Sequence, residues 1–186
     1  MFVDESGFYL LPALVRTYAP RGNTPIIREL LTRDHLSAVT PLSSGVSAIT
    51  PEGKLYMMVQ EDAFNPGTLR SRVKSPDVVR FLVHLLRHIG GKLLVIWDRS
   101  PIHRGQAVKD FLATRRGKRV HMEQLPAYAP ELNPDEGIWS YLKGTELRNV
   151  ACQGIPHLRC ELRRAKERLR HKTGIIHACI LQTGLL

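Results

Sequence analysis

The chain has 186 residues, enough for one domain that buries most of its apolar surface. Hydrophobic residues make up 43% and charged residues 24%, which is ordinary globular composition and excludes a disordered or collagen-like chain. No apolar run approaches the roughly 18 residues of a membrane span. Lys and Arg total 27 against 17 Asp and Glu, a net charge of +10 that favours a polyanionic partner, nucleic acid first and an anionic membrane second.

The first half of the chain has the pattern of short strands separated by turns. The apolar pair Phe2 and Val3 leads directly into Asp4, so a strand begins at the start of the chain. Turn-forming residues occupy 51–54. The candidate strands are 2–3, 14–18, 35–42, 45–50 and 55–60. These segments predict a meander of antiparallel strands, with Asp4 at the end of the first one.

From residue 75 onward, helices and strands alternate. Ser75 as N-cap, followed by proline and an acid, predicts a helix that ends at Gly90. Residues 92–97 (KLLVIW) form a continuous apolar run, typical of a strand buried on both faces. The later elements are a helix over 104–115, a strand over 120–125, a helix opened by Asn133 and a basic helix over 157–171. The order predicts an α/β domain whose mixed sheet is covered by helices.

Three acids lie where the predicted elements would bring them together. Asp4 follows the first strand, Asp98 follows the run 92–97, and Glu136 lies in the first turn of the helix opened by Asn133. Open α/β sheets bind ligands at the carboxyl ends of their strands. Clustered carboxylates need cations, and Mg²⁺ prefers oxygen ligands. Two such ions about 3.5–4 Å apart would serve phosphodiester chemistry, with basic side chains holding the polyanion.

Each of these acids also has a purely structural explanation. Asp4 would then be an exposed carboxylate at the terminus, and Asp98 would only start a turn. Glu136 would complete a capping box with Asn133, and the helix dipole would explain Asp135. Spacing alone therefore makes a metal-dependent nuclease only a weak hypothesis.

A long string of residues resembles a known family. LPAYAPELNPDEGIW at 125–139 resembles the Leu-Pro-x-Tyr-Ser-Pro-x-Leu-Asn-Pro-x-Glu-x-x-Trp signature of the Tc1/mariner superfamily, specifically of IS630-type transposases. VIWDRSPIHR at 95–104 is similar to the family's strand followed by Asp-Asn-x-x-x-His. FVDESGF at 2–8 and YAPRGNTP at 18–25 are similar to its Asp-Glu-Ser block and the segment that follows. The four segments occur in the family's order.

The resemblance implies an RNase H-like catalytic domain over 1–150, followed by a basic helical extension over 151–186. It assigns Asp4, Asp98 and Glu136 as a catalytic triad that binds two Mg²⁺ or Mn²⁺ ions. In the family, one ion activates water or a DNA 3′-hydroxyl and the other stabilises the departing 3′-oxygen. The implied partners are transposon ends and target DNA, with a homodimer in the active complex, no membrane and no small-molecule cofactor. Glu131 and Asp135 inherit no catalytic role.

Several basic residues are candidates for binding DNA. They are Arg99, His103, Arg104, Lys143, Arg163, Arg164 and Lys166. Arg99 stands where the family usually has Asn, and Lys143 lies two helical turns after Glu136. His103 has a structural role in its loop as an equal alternative. The basic residues of the last helix either follow a phosphate backbone or form a solvated face of a helix packed by its leucines.

The family's helix-turn-helix domains do not precede Asp4, since only three residues do. We therefore expect a catalytic domain without specific recognition of transposon ends, in the cytoplasm of a bacterium and associated with its nucleoid. The main alternative is a catalytically inactive remnant that binds DNA without specificity. A general RNase H-like nuclease is less favoured because it would not require the string at 125–139.

Overall fold

The computed structural model describes residues 1–9, 16, 18–23, 43–59, 73–127 and 129–185. The strands in these ranges are β1 (Phe2–Phe8), β2 (Ser43–Ile49), β3 (Leu55–Val59), β4 (Leu93–Trp97) and β5 (Val120–Gln124). The α-helices in them are α1 (Ser75–His88), α2 (Gln106–Ala113), α3 (Pro134–Tyr141), α4 (Ile155–Arg170) and α5 (Thr173–Gln182). No helix within these ranges is both long and apolar enough to cross a membrane.

The strands form one mixed sheet in the order β3-β2-β1-β4-β5. The strands β1, β2 and β3 pair antiparallel, as the predicted meander requires. β4 then pairs parallel with β1 on one side and with β5 on the other. The parallel strands β4 and β5 are joined through α2, and α1 precedes β4, so the alternation of strands and helices predicted in the second half is confirmed.

Helices cover both faces of this sheet. Because side chains alternate along a strand, Asp4 and Phe8 of β1 lie on one face while Val3 and Glu5 lie on the other. The first face packs against α3, α4 and α5, with Trp139 edge-on to Phe8 at 5.8 Å between ring centroids. The second face packs against α1 and α2. Every residue of the inner strand β2 is buried, as expected of a strand between two layers.

The strand β1 is longer than its apolar residues indicate. It continues through the polar residues DESG to Phe8 and pairs with the whole of β2. Asp4 therefore lies inside the strand, and the prediction that it lies at the strand's end is wrong. The pairing with β2 supplies partners for the backbone, so β1 does not depend on hydrophobic side chains alone.

Other boundaries also differ from the prediction. The N-cap of α1 is Lys74 rather than Ser75, and the Lys74 N–H donates to Asp77 Oδ2 at 2.9 Å. Residues 101–104 form a 3₁₀ turn, which delays the start of α2. Residues 35–42 and most of 14–18 lie outside the described residues. Helix α5 was not predicted because TGIIHACILQ is apolar around most of its circumference and has no amphipathic stripe.

The chain leaves α3 through a π-helical turn at Leu142–Glu146. Glu146 at its end binds Arg168 of α4 and Lys172, each at 2.6 Å. The Glu146 side chain is almost fully buried, so these two ion pairs fix the end of α3 against α4 and the start of α5.

Replacing Leu162 of α4 with Ala tests whether the carboxyl-terminal helices belong to the core of the sheet. Leu162 is 0% exposed, and we expect a loss of about 2–5 kcal/mol in the free energy of unfolding, measured by urea denaturation. Leu181→Ala on α5 is the matched control, because Leu181 is 65% exposed and should change stability little. Equal effects of the two changes would contradict the packing described here.

Candidate active site

The pairing of β1 with β4 places the first two acids side by side. The two strands run parallel, with Phe2 opposite Ile96. Asp4 and Asp98 each follow their member of this pair by two residues along the chain. Both acids therefore lie at the same level and on the same face of the sheet. The prediction that they come from neighbouring strands is confirmed by the sheet order.

Helix α3 brings Glu136 to the same cleft. Asn133 is the N-cap, and its Oδ1 accepts a hydrogen bond from the Asp135 N–H at 3.2 Å. The Asn133 N–H donates to the carbonyl of Pro130 at 2.9 Å. The predicted capping box is therefore wrong, and the exposed Glu136 carboxylate is not used to cap its own helix. Glu136, Asp4 and Asp98 together line a cleft of about 440 Å³.

Asp4 is held in a setting that disfavours its charge. The residue is 8% exposed, and its Oδ2 has no hydrogen-bond partner among the described residues. Burial, followed by the negative charge of Glu136, raises the pKa of Asp4 to about 7. An unpaired buried carboxylate is costly, and a divalent cation in the cleft would remove that cost. The oxygen donors of Asp4, Asp98 and Glu136 fit Mg²⁺ or Mn²⁺.

Asp98 lies in a different environment, since its side chain is 52% exposed. His103 Nε2 lies 2.9 Å from Asp98 Oδ1, and this contact lowers the pKa of the Asp98 carboxyl. The Ser100 N–H also donates to Oδ1 at 2.9 Å. Asp98 thus starts a turn, as its structural explanation required, and also faces the cleft. Both contacts use Oδ1, which leaves Oδ2 for a ligand in the cleft.

Two further acids extend the site, and sequence reasoning gave neither a role in it. Glu5 points to the α1 and α2 side of the sheet, and burial, followed by the charge of Asp4, raises its pKa to about 8. Asp135 is 0% exposed, and burial, followed by the charge of Asp4, raises its pKa well above the usual range. Of the two, only the position of Glu5 could have been found from the sequence. An acid next to Asp4 in a strand must point to the opposite layer of the sheet.

Asp135 has one donor that holds it in place. Ser47 of β2 donates its hydroxyl to Asp135 Oδ1 at 2.7 Å, and both groups are buried. Ser47 stands opposite Asp4 in the pairing of β1 with β2. The bond therefore joins the first turn of α3, which carries Glu136, to the part of the sheet that carries Asp4.

The predicted cations near the cleft have distinct positions. Arg99 is exposed and lines the cleft, and Arg104 donates to the Arg99 carbonyl at 3.3 Å. Lys143 donates to Ser6 Oγ at 2.6 Å and lies 5.6 Å from the centre of the Phe8 ring. Burial lowers the pKa of Lys143, while the charges of the acids in the cleft oppose that shift.

The remaining predicted cations lie elsewhere. His103 is 3% exposed and stacks on Trp97 with 3.9 Å between ring centroids, which favours the structural alternative for this residue. Arg163, Arg164 and Lys166 are on α4 and do not line the cleft. Arg164 binds Glu161 at 2.7 Å and Lys166 lies 3.7 Å from Glu167, while the leucines of α4 are buried in the core.

The fold is similar to that of solved transposase structures. The catalytic domain of Mos1 mariner transposase is 14% identical, with a TM-score of 0.54 over 98% of this chain and 81% of that one. The Mos1 mariner paired end complex with Mn is 15% identical, with a TM-score of 0.57 over 100% of this chain and 55% of that one. The Mos1 strand transfer complex is 17% identical, with a TM-score of 0.54 over 98% of this chain and 54% of that one.

The likeness establishes the class of fold, an RNase H-like mixed sheet flanked by helices, as predicted. Residues 1–159 match the DDE superfamily endonuclease family, and the chain belongs to that family. It spans about half the length of the Mos1 chains in the two complexes. No curated protein sequence matches the chain.

The metal-free protein should lose stability as the pH rises. Asp4 and Glu5 have folded-state pKa values of about 7 and about 8, against ordinary values of 3.8 and 4.5. The folded state therefore binds these protons more tightly than the unfolded state does. The stability gained from this binding is fully present below about pH 4 and is lost as the pH rises through about 8. Each unit of pKa shift corresponds to about 1.4 kcal/mol.

Urea denaturation in EDTA across this pH range measures the effect. Glu5→Gln should flatten the decline, whereas Glu131→Gln, which changes an exposed acid outside the cleft lining, should not. Asp4 and Glu5 are assigned raised pKa values of about 7 and about 8. A free energy of unfolding that stays level or rises between pH 5 and pH 8 would contradict these raised values.

Ser47→Ala should destabilise the protein by about 1–3 kcal/mol, because it leaves the buried Asp135 carboxyl without its donor. Ser43→Ala is the matched control on the same strand. The Ser43 hydroxyl is also buried but has no hydrogen-bond partner among the described residues, so its removal should cost little. Urea denaturation compares the two variants, and an equal cost would show that the bond to Asp135 contributes nothing specific.

Proposed function

We propose that this chain is the catalytic domain of an IS630-type DNA transposase, which hydrolyses phosphodiester bonds and transfers DNA strands during cut-and-paste transposition. One observation carries the proposal. In a member of the DDE superfamily endonucleases, Asp4 and Asp98 stand level on adjacent parallel strands and share one cleft with Glu136. The motif at 125–139 supports the finer assignment to the IS630 type.

Asp4, Asp98 and Glu136 are the proposed ligands of two divalent ions, Mg²⁺ or Mn²⁺. Ions bound there would lower the pKa of water and stabilise a leaving oxygen of the phosphodiester. Two observations support this role. Asp4 Oδ2 is buried without a hydrogen-bond partner among the described residues, and the Glu136 carboxylate is not used to cap α3. Asp98 adds a carboxylate whose lowered pKa keeps it charged at neutral pH.

The proposed substrate is DNA, at transposon ends and at the target. Arg99 lines the cleft and Arg104 donates to the Arg99 carbonyl, which supports the proposal that these two cations contact phosphates of a bound strand. Lys143 is the third proposed DNA contact near the cleft, and its hydrogen bond to Ser6 Oγ at 2.6 Å holds its ammonium group beside β1. The exposed Arg163 and Arg164, with Lys166, would contact DNA only outside the cleft.

The proposed acting form is a homodimer, as the family resemblance implies. One similar solved structure is a paired-end complex of Mos1 transposase with a left transposon end. We further propose residues 1–150 as the catalytic domain and 151–186 as its basic extension, in a protein that acts in the bacterial cytoplasm at the nucleoid. The second candidate is an inactive remnant that binds DNA without cutting it. The exposed cations of α4 favour it, because they would bind DNA without any contribution from the carboxylates.

Nicking of supercoiled plasmid separates the two candidates. We expect nicking that requires Mg²⁺ or Mn²⁺ and falls by at least about 100-fold in Asp98→Asn and in Glu136→Gln, since even residues that only support metal ligands cost about 10- to 100-fold. Glu131→Gln is the control, because Glu131 lies in the preceding turn but does not line the cleft. Wild-type protein that shifts DNA at low salt and never nicks it would favour the remnant.

A further inference from the structure

A second group of metal-binding atoms lies beneath the cleft. Glu5, Asp98 and His103 each offer one ligand atom, and the three atoms all lie within 4.8 Å of one another. His103 Nε2 is 2.9 Å from Asp98 Oδ1 and 3.5 Å from Glu5 Oε1. Among the residues that the structure describes, no other group of three or more His, Cys, Asp or Glu meets this distance. The proposed catalytic carboxylates Asp4 and Glu136 are not in the group.

His103 is the feature that distinguishes this group from a chance cluster of acids. Its side chain is 1% exposed, Nδ1 has no hydrogen-bond partner in the described part of the chain, and Nε2 is directed at the carboxylates of Asp98 and Glu5. The stack on Trp97 fixes the plane of the ring, with Nε2 close to the two carboxylates. Two carboxylates held next to a buried imidazole repel each other, and a metal ion bound to Nε2 would neutralise both of them.

Glu5 supplies a second buried ligand atom, its Oε1. Its Oε1 is buried and without a hydrogen-bond partner among the described residues. Ligands that bind one ion at about 2.0–2.2 Å stand about 3 Å or slightly more apart, close to the 2.9 and 3.5 Å that separate Nε2 from the two carboxylates; the two carboxylate atoms lie within 4.8 Å of each other. The half-exposed Asp98 side chain gives an ion a path from solvent.

We propose that Glu5, Asp98 and His103 form a binding site for a first-row transition ion such as Mn²⁺. One imidazole nitrogen with two carboxylates suits such an ion better than Mg²⁺, which takes oxygen ligands. The site faces the α1 and α2 layer and shares only Asp98 with the cleft. It does not rest on the proposed DNA cleavage, because its ligands are assigned from distances and burial alone.

Pulsed electron paramagnetic resonance of Mn²⁺ bound to the whole chain tests the site. We expect the wild-type spectrum to show coupling to a directly bound ¹⁴N, and this coupling to be lost in His103→Gln. His121→Gln is the matched control. His121 also lies 2.9 Å from a glutamate, Glu123, but it is on the exposed surface and outside the group. Asp4→Asn should retain the nitrogen coupling, since Asp4 belongs to the cleft.

Mn²⁺ that binds to the wild-type protein without nitrogen coupling would overturn the proposal, and this result needs no variant to fold. Coupling that persists in His103→Gln, or that disappears in Asp4→Asn, would also overturn it. The spectra are independent of the nicking assay. Nitrogen coupling in a protein that never cuts DNA would leave this site standing and remove the proposed function, while cutting without coupling would do the reverse.

Discussion

Burial, together with the mutual repulsion of five carboxylates, governs the region around β1 and β4. Asp4, Glu5, Asp98, Asp135 and Glu136 lie close enough for their charges to act on one another. The parallel pairing of β1 with β4 brings Asp4 and Asp98 to the same level, and the first turn of α3 adds Asp135 and Glu136. The core on both sides of the sheet must hold the acids together against their repulsion, so the site depends on the packing of α1 and α3 as much as on its own residues.

The structure divides these acids by environment. Asp98 has a lowered pKa because it lies beside His103, whereas burial raises the pKa values of Asp4, Glu5 and Asp135. A metal-free site of this kind therefore holds protons at neutral pH, and cations that bind there must displace them. Asp135 is in a third kind of environment. Its hydrogen bond with Ser47 attaches α3 to the sheet, and its complete burial leaves no surface for a ligand.

Local pattern predicted the central features well. The run 92–97 predicted β4, the string at 125–139 predicted the N-cap of α3, and the strand–helix alternation predicted the parallel half of the sheet. The failures share a cause, since each depends on a distant partner. The polar half of β1 is a strand because β2 pairs with it. Glu5 lies near the site because the loop after β4 brings His103 Nε2 to 3.5 Å from its carboxylate. Helix α5 is apolar on most sides because it enters a core formed by other elements.

The two tryptophans of the chain stand on opposite sides of the sheet, each close to one part of the site. Trp139 packs in the layer of Asp4, and Trp97 stacks on His103 in the layer of Glu5. Indole emission is sensitive to charge at contact distance, so an ion that binds at His103 would alter the fluorescence of Trp97 first. Removing either indole would give a chain with a single tryptophan, whose emission reports on one face of the sheet at a time.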